Sequence, residues 1–120
     1  MTINRDEYQK LKNMLAANGQ LESVIQAFVN HSSIRLEDLQ KSIAAQDLES
    51  ILKIAHAIKG SCAMLGGTQC AQLCDAIESA CRHSHPGELP ELLAKLIIEI
   101  RSIAEFLQND RPVNTQGCCE

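Results

Sequence analysis

The sequence has few aromatic residues and no long hydrophobic run. It contains no tryptophan, one tyrosine and two phenylalanines, although 45% of its 120 residues are hydrophobic. The interior must therefore be built from Leu, Ile, Ala and Cys, which suits packed helices better than sheets. No stretch approaches the roughly 20 consecutive apolar residues of a membrane span, and the opening residues MTINRDEYQK lack the apolar segment of a secretory signal. We therefore expect an all-α protein in the cytoplasm.

Positive charge is also scarce, and it is not clustered. Eleven Lys and Arg residues stand against fifteen Asp and Glu, which gives a net charge of −4. The basic residues are interspersed with acidic ones, so no basic stripe can follow a phosphate backbone. We therefore expect no nucleic-acid partner. The length is that of one domain with one hydrophobic core.

Six cysteines do not indicate disulfides here, because a sequence without a secretory signal is expected to keep its thiols reduced. Cys70, Cys74 and Cys81 recur at helical spacing, as small hydrophobic residues of a core stripe do. A second interpretation is that two of these thiols bind a soft metal ion together with His83 or His85. The core interpretation is favoured, because free cysteine is among the most buried residue types.

Hydrophobic periodicity predicts five helices, over residues 4–19, 20–45, 48–65, 68–82 and 88–108. The expected N-caps are Asn4, Asp47 and Thr68; Gly19 ends the first helix, and left-handed glycines at 66 and 67 end the third. Short connections favour an antiparallel up-and-down four-helix bundle, with the first short helix covering one end. An open array of helix pairs is the alternative, but no repeats are visible.

Residues 1–110 are expected to form this domain. Residues 111–120, with two cysteines to which we attach no function, are expected to be a disordered tail.

The third predicted helix has a core face made of Ile51, Ile54, Ala55, Ile58, Cys62 and Leu65. His56 falls on the opposite face, so its ring is predicted to contact solvent, and Gly60 follows it one turn later. A glycine inside a helix costs about 1 kcal/mol relative to alanine. Its position away from the core face suggests that it leaves room for another molecule to approach the ring.

Several other residues surround His56 on this exposed face. Lys59 is placed to meet negative charge near the ring, and Leu52 and Met64 offer apolar surface. Each feature taken alone is common on helix surfaces, where lysines are solvated and a glycine can reflect close helix packing. The combination is what favours a functional site.

The segment AHAIKGSCAMLGG, residues 55–67, resembles the motif of histidine-containing phosphotransfer domains. In that family the phosphoryl-accepting histidine is followed by Lys at the third position, Gly at the fourth, a small residue at the fifth and Gly at the tenth. The matching residues are His56, Lys59, Gly60, Ser61 and Gly66. The family's helical bundle agrees with the predicted helices, so the resemblance covers all but the C-terminal tail.

The resemblance implies a relay step of two-component signalling. His56 would accept a phosphoryl group from the aspartyl phosphate of a receiver domain and pass it to another receiver. Lys59 would stabilise the charge of the transferred group, and Glu78 would hold the other ring nitrogen. The receivers would dock on the residues around His56, which are Leu52, Lys53, Gly60, Ala63 and Met64.

The resemblance also implies which functions the chain leaves to its partners. We expect no kinase activity, no cofactor and no metal site. The sequence has neither a Gly-rich phosphate loop nor an acidic cluster for Mg²⁺. The partner receiver would supply the Mg²⁺. The expected partners are the receiver domains of a sensor kinase and of a response regulator. We expect a monomer without direct membrane contact, and by family analogy the C-terminal module of a bacterial hybrid sensor kinase at the cytoplasmic side of the inner membrane.

Two other functions remain open from the sequence. The exposed face around Leu52 and Gly60 could dock a partner without any phosphoryl transfer. The cysteines of the fourth helix, together with His83 or His85 after it, could instead make the chain a metal-binding bundle. The three functions differ in whether His56 carries a phosphoryl group and whether the purified protein carries metal.

Overall fold

The computed structural model describes residues 3–17, 19–83 and 86–110, and almost all of them are helical. The helices are α1 (Arg5–Ala17), α2 (Leu21–Ala44), α3 (Leu48–Met64), α4 (Thr68–Arg82) and α5 (Leu89–Asp110), with a short 3₁₀ helix at Pro86–Glu88. These bounds lie within about two residues of those predicted from periodicity. The predicted tail and His85 lie outside the described residues. None of the described helices is long and apolar enough to cross a membrane.

Helices α2 to α5 form an up-and-down bundle. Each of them packs against the next along the chain, and α5 closes the bundle by packing against α2. Because the connections are short, neighbouring helices run antiparallel. The short helix α1 contacts α2 and α3, and its Tyr8 ring meets the Phe106 ring of α5 edge-on at 5.3 Å between centroids. The predicted four-helix bundle with an additional N-terminal helix is confirmed.

The core is built from aliphatic and cysteine side chains spaced three and four residues apart. Helix α5 contributes Leu89, Leu93, Leu96, Ile100, Ile103 and Leu107, and its Leu92 is half-buried. On α3 the predicted core residues are buried except Ile54, which is half-buried. Cys62, Cys70, Cys74 and Cys81 are free and buried, so their prediction as core residues is confirmed. Each fully buried Leu or Ile contributes about 1.5–3 kcal/mol.

Two predicted N-caps are confirmed by hydrogen bonds to the first turns of their helices. Asn4 Oδ1 accepts the backbone N–H of Glu7 at 3.1 Å. Asp47 accepts the Ser50 backbone N–H at 3.3 Å and the Ser50 hydroxyl at 2.8 Å. The Ser50 hydroxyl, followed by the Ser50 N–H, lowers the pKa of Asp47. These bonds satisfy N–H groups that have no partner inside the helix.

Helices α1, α2 and α3 all end in the same backbone motif. The residue after each C-cap is left-handed, with φ of 70° at Gly19, 57° at Gln46 and 81° at Gly66. At the end of α3 the Gly66 N–H donates to the Ala63 carbonyl at 3.1 Å, and the next N–H donates to the Cys62 carbonyl at 2.7 Å. This pair of bonds is the Schellman motif, which satisfies carbonyls at the end of the helix.

The turn between α3 and α4 differs from the sequence prediction at two residues. Gly67 has a φ of −81°, not a left-handed value, and it is the N-cap of α4. Thr68 is therefore the first helical residue, and its prediction as the N-cap was wrong. A side chain at position 67 would be crowded, because a Cβ there would lie 2.9 Å from Ile103 Cδ1 and 3.2 Å from the Cys62 carbonyl oxygen. Tertiary packing therefore explains this glycine.

The segment before α1 is bonded to the turn between α3 and α4. The Asn4 N–H donates to the Gly66 carbonyl at 2.5 Å, and Ile3 and Gly67 form an isolated antiparallel bridge. A Cβ at position 66 would lie 2.8 Å from the Asn4 carbonyl oxygen. Gly66 therefore serves both the left-handed end of α3 and the close approach of the N-terminal segment.

We predict that Gly66→Ala destabilises the domain. The left-handed backbone alone costs an alanine about 1–2 kcal/mol, and the close Asn4 oxygen adds to this cost. Urea denaturation followed by circular dichroism measures the difference. Gly87→Ala is the control, because that position has open space around its Cβ and should leave the midpoint unchanged. Equal midpoints for the two variants would contradict the role assigned to Gly66.

Candidate functional site

His56 lies in the middle of α3, on the face turned away from the core. Its side chain is 79% exposed, whereas Ala55, Ile58 and Cys62 on the other face are buried. The prediction that the ring contacts solvent is confirmed. Gly60, one turn further along, is also exposed, and a Cβ there would meet nothing within 4 Å. Close packing between helices therefore does not explain this glycine.

Glu78 brings a buried carboxylate from α4 to the His56 ring. Only 7% of the residue is exposed, and its Oε2 atom lies 3.6 Å from His56 Nδ1. This distance is longer than an ordinary hydrogen bond but within the range of an ion pair. Glu78 is the one charged side chain among the buried residues of the described chain. Burying a carboxylate costs free energy, and the His56 ring is a group that can offset this cost as its ion-pair partner.

Lys59 is bound by a second acidic residue of α4. Its Nζ donates to Asp75 Oδ1 at 2.5 Å, and the two side chains are 36% and 54% exposed. The hydrogen bond that Lys59 donates to Asp75 raises the pKa of Lys59 above its ordinary value, so the lysine is charged throughout the neutral range. Asp75 precedes Glu78 by three residues, so both carboxylates lie on the face of α4 that meets α3.

Sequence reasoning did not identify Asp75. The available signal was its spacing of one helical turn from Glu78, which places the two carboxylates on one face. That spacing does not say which lysine of another helix Asp75 meets. The contact depends on how α3 and α4 are aligned. The hydrophobic repeat within one helix gives no information about that alignment.

On the side of α3 that packs against α2, Arg35 of α2 lies near the site. Its Nη1 donates to Ser61 Oγ at 2.9 Å, and the same hydroxyl donates to the Ala57 carbonyl at 3.3 Å. Arg35 and Ser61 border a groove of about 240 Å³ between α2 and α3, which His31 and Met64 also line. Ser61, the small residue of the motif, is thus the point where α2 is hydrogen-bonded to α3. The sequence contained no local signal for Arg35.

The five residues predicted to dock a receiver all lie on α3 near His56. At about 100° per residue they occupy one side of the helix, and four of them are exposed: Lys53, Gly60, Ala63 and Met64. Leu52 is half-buried and packs against the core, so it offers less apolar surface than we expected. Lys53 forms an exposed ion pair with Glu49 at 3.7 Å. Met64, with 54% of its surface exposed, is the principal apolar residue of this group.

The buried cysteines of α3 and α4 form a cluster of thiols. Hydrogen bonds with Cys62 and then Cys74, together with burial, raise the pKa of the Cys70 thiol, which therefore stays protonated. The His83 ring lies at an exposed position, 3.1 Å from Ser79 Oγ. Within the described residues, no three His, Cys, Asp or Glu side chains are placed to hold a metal ion. The cluster contributes to the core packing of the two helices.

The fold and the exposed histidine define a class, that of helical phosphotransfer modules, and comparisons with known proteins support it. The sequence pattern of the Hpt domain matches residues 23–109. The crystal structure of histidine-containing phosphotransfer protein B from Pseudomonas aeruginosa aligns with a TM-score of 0.85 over 91% of this chain and 93% of that chain, at 19% identity. The chain belongs to the Hpt domain family. Its class is that of histidine phosphotransfer intermediates in phosphorelay signalling, which interact with receiver domains.

A curated relative shares part of the chain. The multistep phosphorelay regulator 1 of Schizosaccharomyces pombe is 31% identical over 58 residues, which are 48% of this chain. The match spans 20% of that protein's length. The similarity therefore concerns the domain, and the activities and partners of the whole yeast protein do not follow for this chain.

We predict that Gly60→Ala stabilises the domain by about 1 kcal/mol, because alanine is the better helix former and the added Cβ meets open space. Chemical denaturation measures the difference. The matched control is Ala63→Gly on the same exposed face, which should destabilise by a similar amount. A loss of stability in Gly60→Ala would show that the glycine is needed for packing.

Proposed function

We propose that His56 carries the phosphoryl group, accepting it from the aspartyl phosphate of one receiver domain and passing it to the aspartate of another. The observation that carries this proposal is the exposed ring whose Nδ1 lies 3.6 Å from the buried Glu78 carboxylate. A nucleophile that another protein must reach needs exposure, and a ring that must present one particular nitrogen needs a partner for the other.

The transfer is a displacement at phosphorus. The lone pair of neutral His56 Nε2 forms the N–P bond, the P–O bond to the receiver's aspartate breaks, and its electron pair stays on the released carboxylate. The ring keeps its proton on Nδ1 and becomes a phosphorylated imidazolium. The reverse sequence returns the phosphoryl group to the aspartate of a second receiver.

Glu78 favours this order of events. Its carboxylate lies on the Nδ1 side of the ring and favours the tautomer that keeps the proton on Nδ1, so Nε2 is left with the lone pair. It also compensates the positive charge that the ring gains on phosphorylation. Because Glu78 is largely buried, this interaction is less screened by water than one at the surface.

The partner supplies the remaining chemistry in this proposal. No kinase activity belongs to the chain, and the receiver provides Mg²⁺ for its own aspartyl phosphate. The receiver domain docks on the surface of α3 around His56. Gly60 leaves room for the loops of the receiver, and Met64 offers apolar contact. Arg35, which donates to Ser61 beside the groove between α2 and α3, adds a cation to the surroundings of the site. Placement in a hybrid sensor kinase stays a prediction.

We expect phosphoramidate to label the chain on His56 with an acid-labile, base-stable N–P bond. Subsequent incubation with receiver domains and Mg²⁺ should move the label to the receivers. His56→Gln should abolish labelling. His83→Gln is the control, because it removes another exposed histidine and should leave labelling unchanged. Mass spectrometry and autoradiography detect the label and its position.

Two results would contradict the proposal. Label that persists in His56→Gln would place the phosphoryl group on another residue. A wild-type chain that binds a receiver but takes no label, with equal receiver affinity in His56→Gln, would identify a docking module without chemistry. Metal retained stoichiometrically by protein purified under reducing conditions would instead favour the metal-binding function.

We predict that Gly60→Gln separates access by a protein from access by a small molecule. The longer side chain stands one turn from His56 and obstructs the receiver, whereas phosphoramidate still reaches the ring. Transfer from a receiver should slow by about tenfold or more, equivalent to at least about 1.4 kcal/mol of barrier. Labelling by phosphoramidate should stay within about twofold of wild type, well below the tenfold that 1.4 kcal/mol represents.

The control is Gly87→Gln, at an exposed glycine outside the site. It should change neither rate. Unaltered transfer from the receiver in Gly60→Gln would refute the role of Gly60 as an access feature.

A further inference from the structure

Lys59, one of two lysines of α3 that stand three residues from His56, is not free to meet a phosphoryl group. Lys59 Nζ is bonded to Asp75 Oδ1 at 2.5 Å. Residues three apart on a helix are neighbours on its surface, so Lys59 can reach a group on the His56 ring. Any contact with that group must come at the expense of the bond to Asp75, or be shared with it.

The other charges around the site are also engaged. Arg35 donates to Ser61, and Lys53 pairs with Glu49. Glu78 faces the ring from α4 as an anion. Lys59 can reach a phosphoryl group on His56 only by giving up or sharing its bond to Asp75, and this carboxylate also lies beside the site.

We propose that Asp75 is a positioning residue, which holds the Lys59 ammonium against α4 while His56 is unphosphorylated and competes with the phosphoryl group for it afterwards. This inference rests on the proposed function of His56. Asp75 would set how strongly the chain retains the phosphoryl group, and so how readily it passes the group on. A relay intermediate must both accept the phosphoryl group and donate it. A lysine for which Asp75 competes can stabilise the phosphoryl group without retaining it too strongly.

Several features of the structure support this competition. Asp75 is 54% exposed, so its carboxylate returns to water when the lysine leaves. An exposed ion pair is weak, whereas a phosphoryl group carries more than one negative charge near neutral pH. Asp75 raises the pKa of Lys59, so the lysine is a full cation when the phosphoryl group arrives.

The test uses the titration of the phosphoryl group on the chain itself. Wild type and Asp75→Asn are phosphorylated on His56 with phosphoramidate, and the ³¹P resonance is followed against pH. A cation freed from Asp75 favours the doubly charged phosphoryl group and lowers its titration midpoint. We expect a midpoint lower by about one pH unit in Asp75→Asn. Asp75→Glu should restore the wild-type midpoint.

Two variants separate a positioning role from the charge of Asp75 itself. In a Lys59→Ala background, Asp75→Asn should shift the midpoint by less than half as much, because the lysine through which it acts is gone. Glu91→Gln breaks a comparable exposed ion pair on α5, where Lys95 lies 3.4 Å from Glu91, and should leave the midpoint unchanged.

An unchanged midpoint in Asp75→Asn would overturn the inference. An equal shift with and without Lys59 would also overturn it, since Asp75 would then act by its own charge. Both outcomes leave His56 phosphorylated and the proposed function intact. A wild-type chain that shows no phosphohistidine resonance would overturn the proposed function, and this inference with it.

Discussion

The alignment of α3 with α4 is the constraint on which the site depends. Small buried side chains, those of Cys62, Cys70 and Cys74, lie at this contact, and the Cys70 thiol meets both of the others. Short side chains allow two helix backbones to approach closely. That alignment places one carboxylate of α4 beside the exposed His56 ring and another beside Lys59. A change in the packing of the thiols would therefore alter the electrostatics around His56 and Lys59.

The division of α3 into a packed face and an open face lets one helix serve stability and function at once. Its inner residues are buried with almost no exposure, whereas His56, Gly60 and Met64 stand outside the core. The open face can therefore carry a helix-weakening glycine without loss of packing. The end of the same helix is held by the Schellman motif and by the bond from Asn4 to Gly66. These contacts hold the end of the helix that carries the exposed face.

The charged side chains around the His56 ring differ in their exposure to solvent. Glu78 is buried and faces Nδ1, the nitrogen that does not attack in the proposed reaction, and little water screens its charge there. Asp75 and Lys59 are partly exposed, and an ion pair of that kind is weak. A phosphoryl carrier needs both properties, because the ring must keep one orientation while the charge on its outer nitrogen changes. The strong catalytic groups, including Mg²⁺, belong to the receiver in the proposed reaction.

The local features of this protein were determined by its sequence alone. Periodicity placed five helices and turned His56 outward, and the caps at Asn4 and Asp47 followed from side chains that bond to neighbouring amides. Tertiary structure alone decided the pairing of Lys59 with Asp75, the bond from Arg35 to Ser61, and the role of Gly67, whose neighbour Ile103 is distant in sequence. The physical reason is that a helical repeat reports which face a residue occupies, whereas contacts between helices depend on their relative shift and rotation, which the packing of whole side chains sets.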